Sequence, residues 1–214
     1  SNADIISCSW GYGNEQVFPA LELTIRDLVT EGRSVLFAAG NGHYAWPGSM
    51  PEVLSVGGVY ADRAGLLEAS KYASGFQSSA YVDRRVPDLC GLVGQPPRAI
   101  YLILPCPPGC QMDKDLGGAS FPDRDGTGPS DGWVGASGTS AATPQLAGIV
   151  ALIKQQAAAR GRVLSPADIK TLLQQSGVPI SRGRNAQDIP ATTDHPNGAV
   201  GFGLANATAA IALV

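Results

Sequence analysis

Ser34-Val35-Leu36-Phe37-Ala38-Ala39-Gly40-Asn41-Gly42 runs apolar as far as Ala39 without alternation, then breaks into glycine and asparagine. A strand exposed on one face alternates, whereas a parallel strand covered on both faces reads as a continuous run. Upstream, Leu21, Ile25, Leu28 and Val29 recur at helical spacing between about Pro19 and Glu31, and Gly32 marks the stop. Before that helix, Asp4 to Trp10 reads as another short buried strand, and downstream Val53 to Val59 is a third. Strands alternating with a helix predict an α/β fold on a parallel sheet.

Farther along the pattern changes. From Pro87 to Trp133, Gly, Pro and Asp dominate around one apolar insert, Ala99 to Leu104. The region, enlarged over 89–133, reads as a long connection with one strand pair, and connections of that length are usually specialised. Regularity returns at Ser140, where Leu146, Ile149, Val150 and Ile153 define one face of a helix reaching to Arg160 and closed by Gly161. Ser165 and Pro166 then supply the N-cap and first position of a helix carrying Ile169, Leu172 and Leu173. Ala205 to Leu213 reads as a short alanine-rich helix. Neither a repeat nor a second domain is visible.

The chain has 214 residues, 44% of them apolar, and 15 basic against 18 acidic side chains give a net charge of −3. That length supports one domain with its own core. No block of Lys or Arg forms the footprint of a nucleic-acid partner, and no apolar run approaches the roughly 20 residues of a membrane helix. Ser1-Asn2-Ala3 reads as an expression-tag remnant, leaving 4–214 as one domain that opens abruptly enough to predict further sequence upstream. Of four cysteines, Cys8 reads as a reduced core residue. Cys106 and Cys110 bracket Pro107-Pro108-Gly109 as either a small disulfide-closed loop or two free thiols, with no further metal ligand close by in sequence.

The chemistry concentrates in Gly138-Thr139-Ser140-Ala141-Ala142-Thr143-Pro144. A serine in the first turn of a helix projects from a rigid element beside free backbone N–H groups, which with the positive helix end can stabilise an oxyanion. An ordinary N-cap serine on a core helix would read the same way. The longer stretch Gly138 to Gly148, however, resembles the nucleophile motif of the subtilisin family, in which the serine after Gly-Thr attacks the scissile carbonyl. Ala38-Ala39-Gly40-Asn41-Gly42 resembles that family's oxyanion-hole segment. The resemblance implies that Ser140 is the nucleophile and that the Asn41 side chain donates to the tetrahedral intermediate.

Three weaker pieces fall in the family's order. Ile6 to Gly11 resembles the strand whose edge pairs with substrate, so Ser9, Trp10 and Gly11, with Gly40, are implied to bind the peptide. Val86-Pro87-Asp88 and Gly201 to Ala207 resemble later family segments. The implied fold is the parallel-sheet, three-layer subtilisin-like fold, incomplete because its N-terminal strands and helices are missing. In that family an Asp and a His-Gly-Thr-His helix start lie upstream, and neither motif occurs here. The two histidines fit poorly as substitutes, since His43 reads as a loop residue and His195 as an exposed turn residue. Sedolisins have a similar serine motif but an Asp at the oxyanion position, so Asn41 favours subtilisins.

The resulting expectation is a serine endopeptidase domain acting on peptide or protein substrates, inactive as this piece alone. Its parent protein is expected to be secreted or extracytoplasmic. The competing readings are a pseudopeptidase that binds peptides without cutting, and self-association through a bared sheet edge. No cofactor is required. Asp123, Asp125 and Asp131 lie among glycines in a loop that could offer oxygens to Ca2+, although a solvated acidic turn explains the same residues.

Overall fold

The computed structural model describes residues 3–96, 102–118 and 124–214. Its central sheet joins β1 (Ile5–Cys8), β2 (Ser34–Ala38), β3 (Leu54–Ala61) and β4 (Leu67–Ala69). The first three are parallel, with Ile5 opposite Ser34 and Leu36 opposite Leu54, while β4 returns antiparallel along β3. Two short strands, β5 (Phe76–Gln77) and β6 (Arg85–Val86), form a separate hairpin, and β7 (Leu89–Leu92) then joins β3 in parallel. A second hairpin pairs β8 (Leu102–Pro105) with β9 (Trp133–Ala136).

Helices cover both faces, as a sheet of doubly buried strands requires. Helix α1 (Pro19–Thr30) packs Ile25 against Val35 and Phe37 of β2, with Trp46, Met50 and Val53 alongside. The intervening Leu36 points to the opposite face, where α3 (Thr139–Ala159) lays down Ala142, Leu146, Val150, Ile153 and Ala157. Helices α4 (Pro166–Ser176) and α5 (Ala207–Ala212) close the same layer through Ile169, Leu173 and Ala210. The predicted α/β fold with its three layers is the one observed. Helix α4 starts at Ser165 with a full capping box, the Ser165 hydroxyl accepting from the Asp168 N–H and the Asp168 carboxylate accepting from the Ser165 N–H. None of these described helices is long and apolar enough to cross a membrane.

The region expected to be a long connection with one strand pair holds that pair, β8 and β9, and more besides. Leu89–Leu92 is a core strand, and a short helix α2 (Gln111–Leu116) sits between β8 and β9. The strand was missed because its run, Leu-Cys-Gly-Leu, is short and follows directly on Pro87-Asp88. Asp88 itself is buried, bonded by Arg84 and Lys170 and by the backbone N–H of Ser55. The first part of the expected apolar insert, 99–101, lies outside the described residues.

Candidate active site

Parallel strands end on one side of the sheet, and ligands gather outside their carboxyl ends. There β1 gives way to Ser9 and β2 to Gly40 and Asn41, while α3 brings its N-terminus to the same place. Ser9, Trp10, Gly11, Gly40, Asn41, His43, Thr139 and Ser140 line one cleft of about 200 Å³. All six residues implied as catalytic or substrate-binding are therefore brought together.

Ser140 occupies the first turn of α3, and two bonds fasten it to β1. Its Oγ donates to the Ser9 carbonyl at 3.0 Å, and the Ser9 hydroxyl donates to the Ser140 carbonyl at 2.7 Å. The second bond has a covalent cause. The Ser140 carbonyl would ordinarily accept from the N–H four residues on, but that residue is Pro144, which has none. The freed acceptor is available to Ser9.

Asn41 is oriented end for end. Its Oδ1 accepts from the Thr139 N–H at 2.9 Å and from the Thr139 hydroxyl at 3.1 Å. The carbonyl end is thereby occupied, and Nδ2, without a protein partner among the described residues, is left as a donor. The Ser140 N–H is likewise unpaired among the described residues, because the bonds of this turn begin with Ala141 and Ala142 donating to Gly138. Gly138 has φ +97°, and a Cβ there would stand 2.9 Å from Asn41 Nδ2. The glycine thus provides a left-handed turn and room for the amide at once.

Supports that the motifs did not reveal complete the frame. Thr139 Oγ1 accepts from the Gly40 N–H at 3.2 Å, locking the two loops together. The Tyr72 hydroxyl accepts from the Gly138 and Gly94 N–H groups, each at 3.0 Å, and contacts Ser137 Oγ. Ser74 Oγ accepts from Gly42 N–H and donates to the His43 carbonyl. Thr139 stood inside the motif and could have been singled out; Tyr72 and Ser74 carry no local signal.

The histidines occupy different places. His43 lines the cleft, but the Ser140 hydroxyl is bonded to a backbone carbonyl and not to an imidazole. His195 is not the exposed turn residue suggested by its Asp, Pro and Asn neighbours, since both its ring nitrogens are buried without a partner among the described residues. Of the candidate calcium ligands, Asp123 lies outside the described residues. Asp125 accepts from Thr127 and from the Gly135 N–H, and Asp131 from the N–H groups of Gly128 and Trp133. These carboxylates anchor turns, and among the described residues no group of three or more His, Cys, Asp or Glu is placed to hold a metal ion.

A sequence model described as the subtilase family matches residues 1–203. The chain belongs to the subtilase family. Among curated proteins none matches it by sequence. Solved structures share its fold at low identity. The prenylagaramide maturation protease PagA aligns at 24% identity and a TM-score of 0.61, covering 99% of this chain and 61% of its own. Sphericase aligns at 19% identity and a TM-score of 0.64, covering 94% and 56%. Fervidolysin from Fervidobacterium pennivorans, a keratinolytic enzyme related to subtilisin, aligns at 19% and 0.66, covering 98% of this chain and 26% of its own. This subtilase chain therefore spans less than two thirds of the length of each.

Proposed function

We propose that this chain carries the nucleophile and oxyanion half of a subtilisin-type serine endopeptidase, whose base and orienting carboxylate come from residues outside it. The convergence of Ser140 Oγ, Asn41 Nδ2 and the free Ser140 N–H on one cleft supports this reading most strongly. Ser140 attacks the scissile carbonyl, and a histidine takes its proton and passes it to the leaving amine. Asn41 Nδ2 and the Ser140 N–H receive the oxyanion, aided by the positive end of α3. The acyl-enzyme on Ser140 is then hydrolysed by water. The peptide backbone adds as a strand beside Ser9, Trp10 and Gly11.

In the chain alone, the Ser140 hydroxyl rests on the Ser9 carbonyl, which cannot serve as a base. The 214-residue chain is expected to leave an unfolded protein such as casein uncut. The same chain, as part of its parent, is expected to cut casein in a manner abolished by Ser140→Ala. Robust hydrolysis by the isolated chain, lost on Ser140→Ala, would refute the division of the site. A parent that binds peptides without cutting them would replace the peptidase with a binding module.

A further inference from the structure

The 102–136 region contains a pair of nucleophilic side chains that the proposed peptidase mechanism does not use. Cys106 directly follows β8, and Cys110 caps the start of α2. Between them the Cys110 N–H donates to the Pro107 carbonyl at 3.0 Å, closing a β-turn with Pro108 and Gly109 at its centre. Gly109 has φ +74°, as the third position of a type II turn demands, and proline favours the second. The turn folds the chain back between the two cysteines and brings their side chains into one neighbourhood.

The turn is also held from outside. Asp113, fully buried, accepts from the N–H groups of Gly109 at 2.8 Å, Ser130 at 3.1 Å and Gly132 at 3.1 Å. The Cys106 N–H donates to the Gly132 carbonyl at 2.9 Å. Both cysteines therefore sit in a braced loop and are half-buried residues, whereas Cys8 and Cys90 are buried.

We propose that Cys106 and Cys110 form a reversible dithiol–disulfide pair that closes against a small-molecule disulfide such as glutathione disulfide. One cysteine thiolate attacks glutathione disulfide, forming a mixed disulfide and releasing one glutathione thiolate. The second cysteine thiolate attacks the protein sulfur of that bond and releases the other glutathione. The two thiols together lose two electrons and two protons, which the oxidant gains. Desolvation, then the neighbouring Cys110 thiol and the Asp113 and Asp131 charges, push the Cys106 thiol up to about 11. Closure accordingly speeds up with rising pH, since the thiolate is the nucleophile. Because Cys106 is tied to Gly132, and β9 leads on to Gly138, the bond braces the segment that delivers Ser140.

The test is to incubate the reduced chain with glutathione disulfide at neutral and alkaline pH, quench with acid, alkylate under denaturing conditions and analyse by mass spectrometry. The expected product has lost two hydrogens, keeps two alkylatable cysteines, and gives a peptide cross-linked between Cys106 and Cys110. Cys106→Ser is expected to stop at a single glutathione adduct on Cys110. Four alkylatable thiols, stable glutathione adducts on both cysteines of the wild-type chain, or a cross-link that includes Cys8 or Cys90 would overturn the proposal.

Discussion

On the proposed mechanism, Asn41 does two jobs with two ends of one amide. Its Oδ1 is held by Thr139, and its Nδ2 is left as a donor on a residue that lines the cleft. Asn41→Asp separates the two, because a carboxylate can still accept from Thr139 but cannot donate to an oxyanion. Measured on the parent protein, and if the proposed peptidase activity is present, this variant is expected to fold normally and to lose ~100- to 1,000-fold in kcat with little change in KM. Retention of full kcat would remove Asn41 from the mechanism. Gly138→Ala acts on the same amide from the other side, since its Cβ would stand 2.9 Å from Nδ2 at φ +97°. Its backbone strain is expected to lower stability by about 1–2 kcal/mol, read by urea denaturation, and kcat is expected to fall as the amide is displaced.

At the scale of elements, α3 has to reconcile a first turn that carries the proposed nucleophile with a buried body. Pro144 breaks one helical bond near the start and frees the Ser140 carbonyl for Ser9, while the turns beyond it are carried by burial against the sheet. Leu146 is 1% exposed, in the core shared with Leu36, Val56 and Leu89. Leu146→Ala is expected to destabilise the fold by about 2–5 kcal/mol, through lost transfer energy and the cavity left behind. Equilibrium urea unfolding checks this, and a change below about 1 kcal/mol would mean that the site collapses to fill the space.

At the scale of the whole molecule, Asp88 ties the β6–β7 link to α4 and to the start of β3. Burial by itself would raise its carboxyl pKa. Lys170, Arg84 and the Ser55 N–H outweigh burial and hold it below the ordinary carboxylate range. Burial draws the Lys170 ammonium down as well, so the net gain rests on the Asp88 side, where two cations and an N–H converge. A depressed folded-state pKa contributes stability above the unfolded value of about 4, and that contribution is lost as pH falls through the folded value. Asp88→Asn leaves two cations unpaired and is expected to lose about 3–5 kcal/mol near neutrality. Its deficit relative to wild type is expected to stay level from pH 8 to 5 and to shrink below pH 4. A deficit that grew on acidification would contradict the assignment.

The sequence by itself determined whatever depends on short-range pattern. Unbroken apolar runs marked β2 and β3, helical spacing marked α1 and α3, and Ser165-Pro166 marked the cap of α4, because burial and capping impose local periodicities and residue types. Ser140 and Asn41 stood out because their flanking residues resemble the subtilisin motifs, and the structure sets both residues on one cleft. Only the tertiary structure decided the rest. It placed Leu89–Leu92 in the core, a strand too short and too close to Pro87 to be seen locally. It recruited Tyr72 and Ser74 to brace the two loops, buried the ring nitrogens of His195, and set Cys106 and Cys110 on either side of one tight turn. Each of these depends on partners distant in the chain or on a turn's three-dimensional path, and no local pattern encodes which backbone N–H a remote hydroxyl will meet.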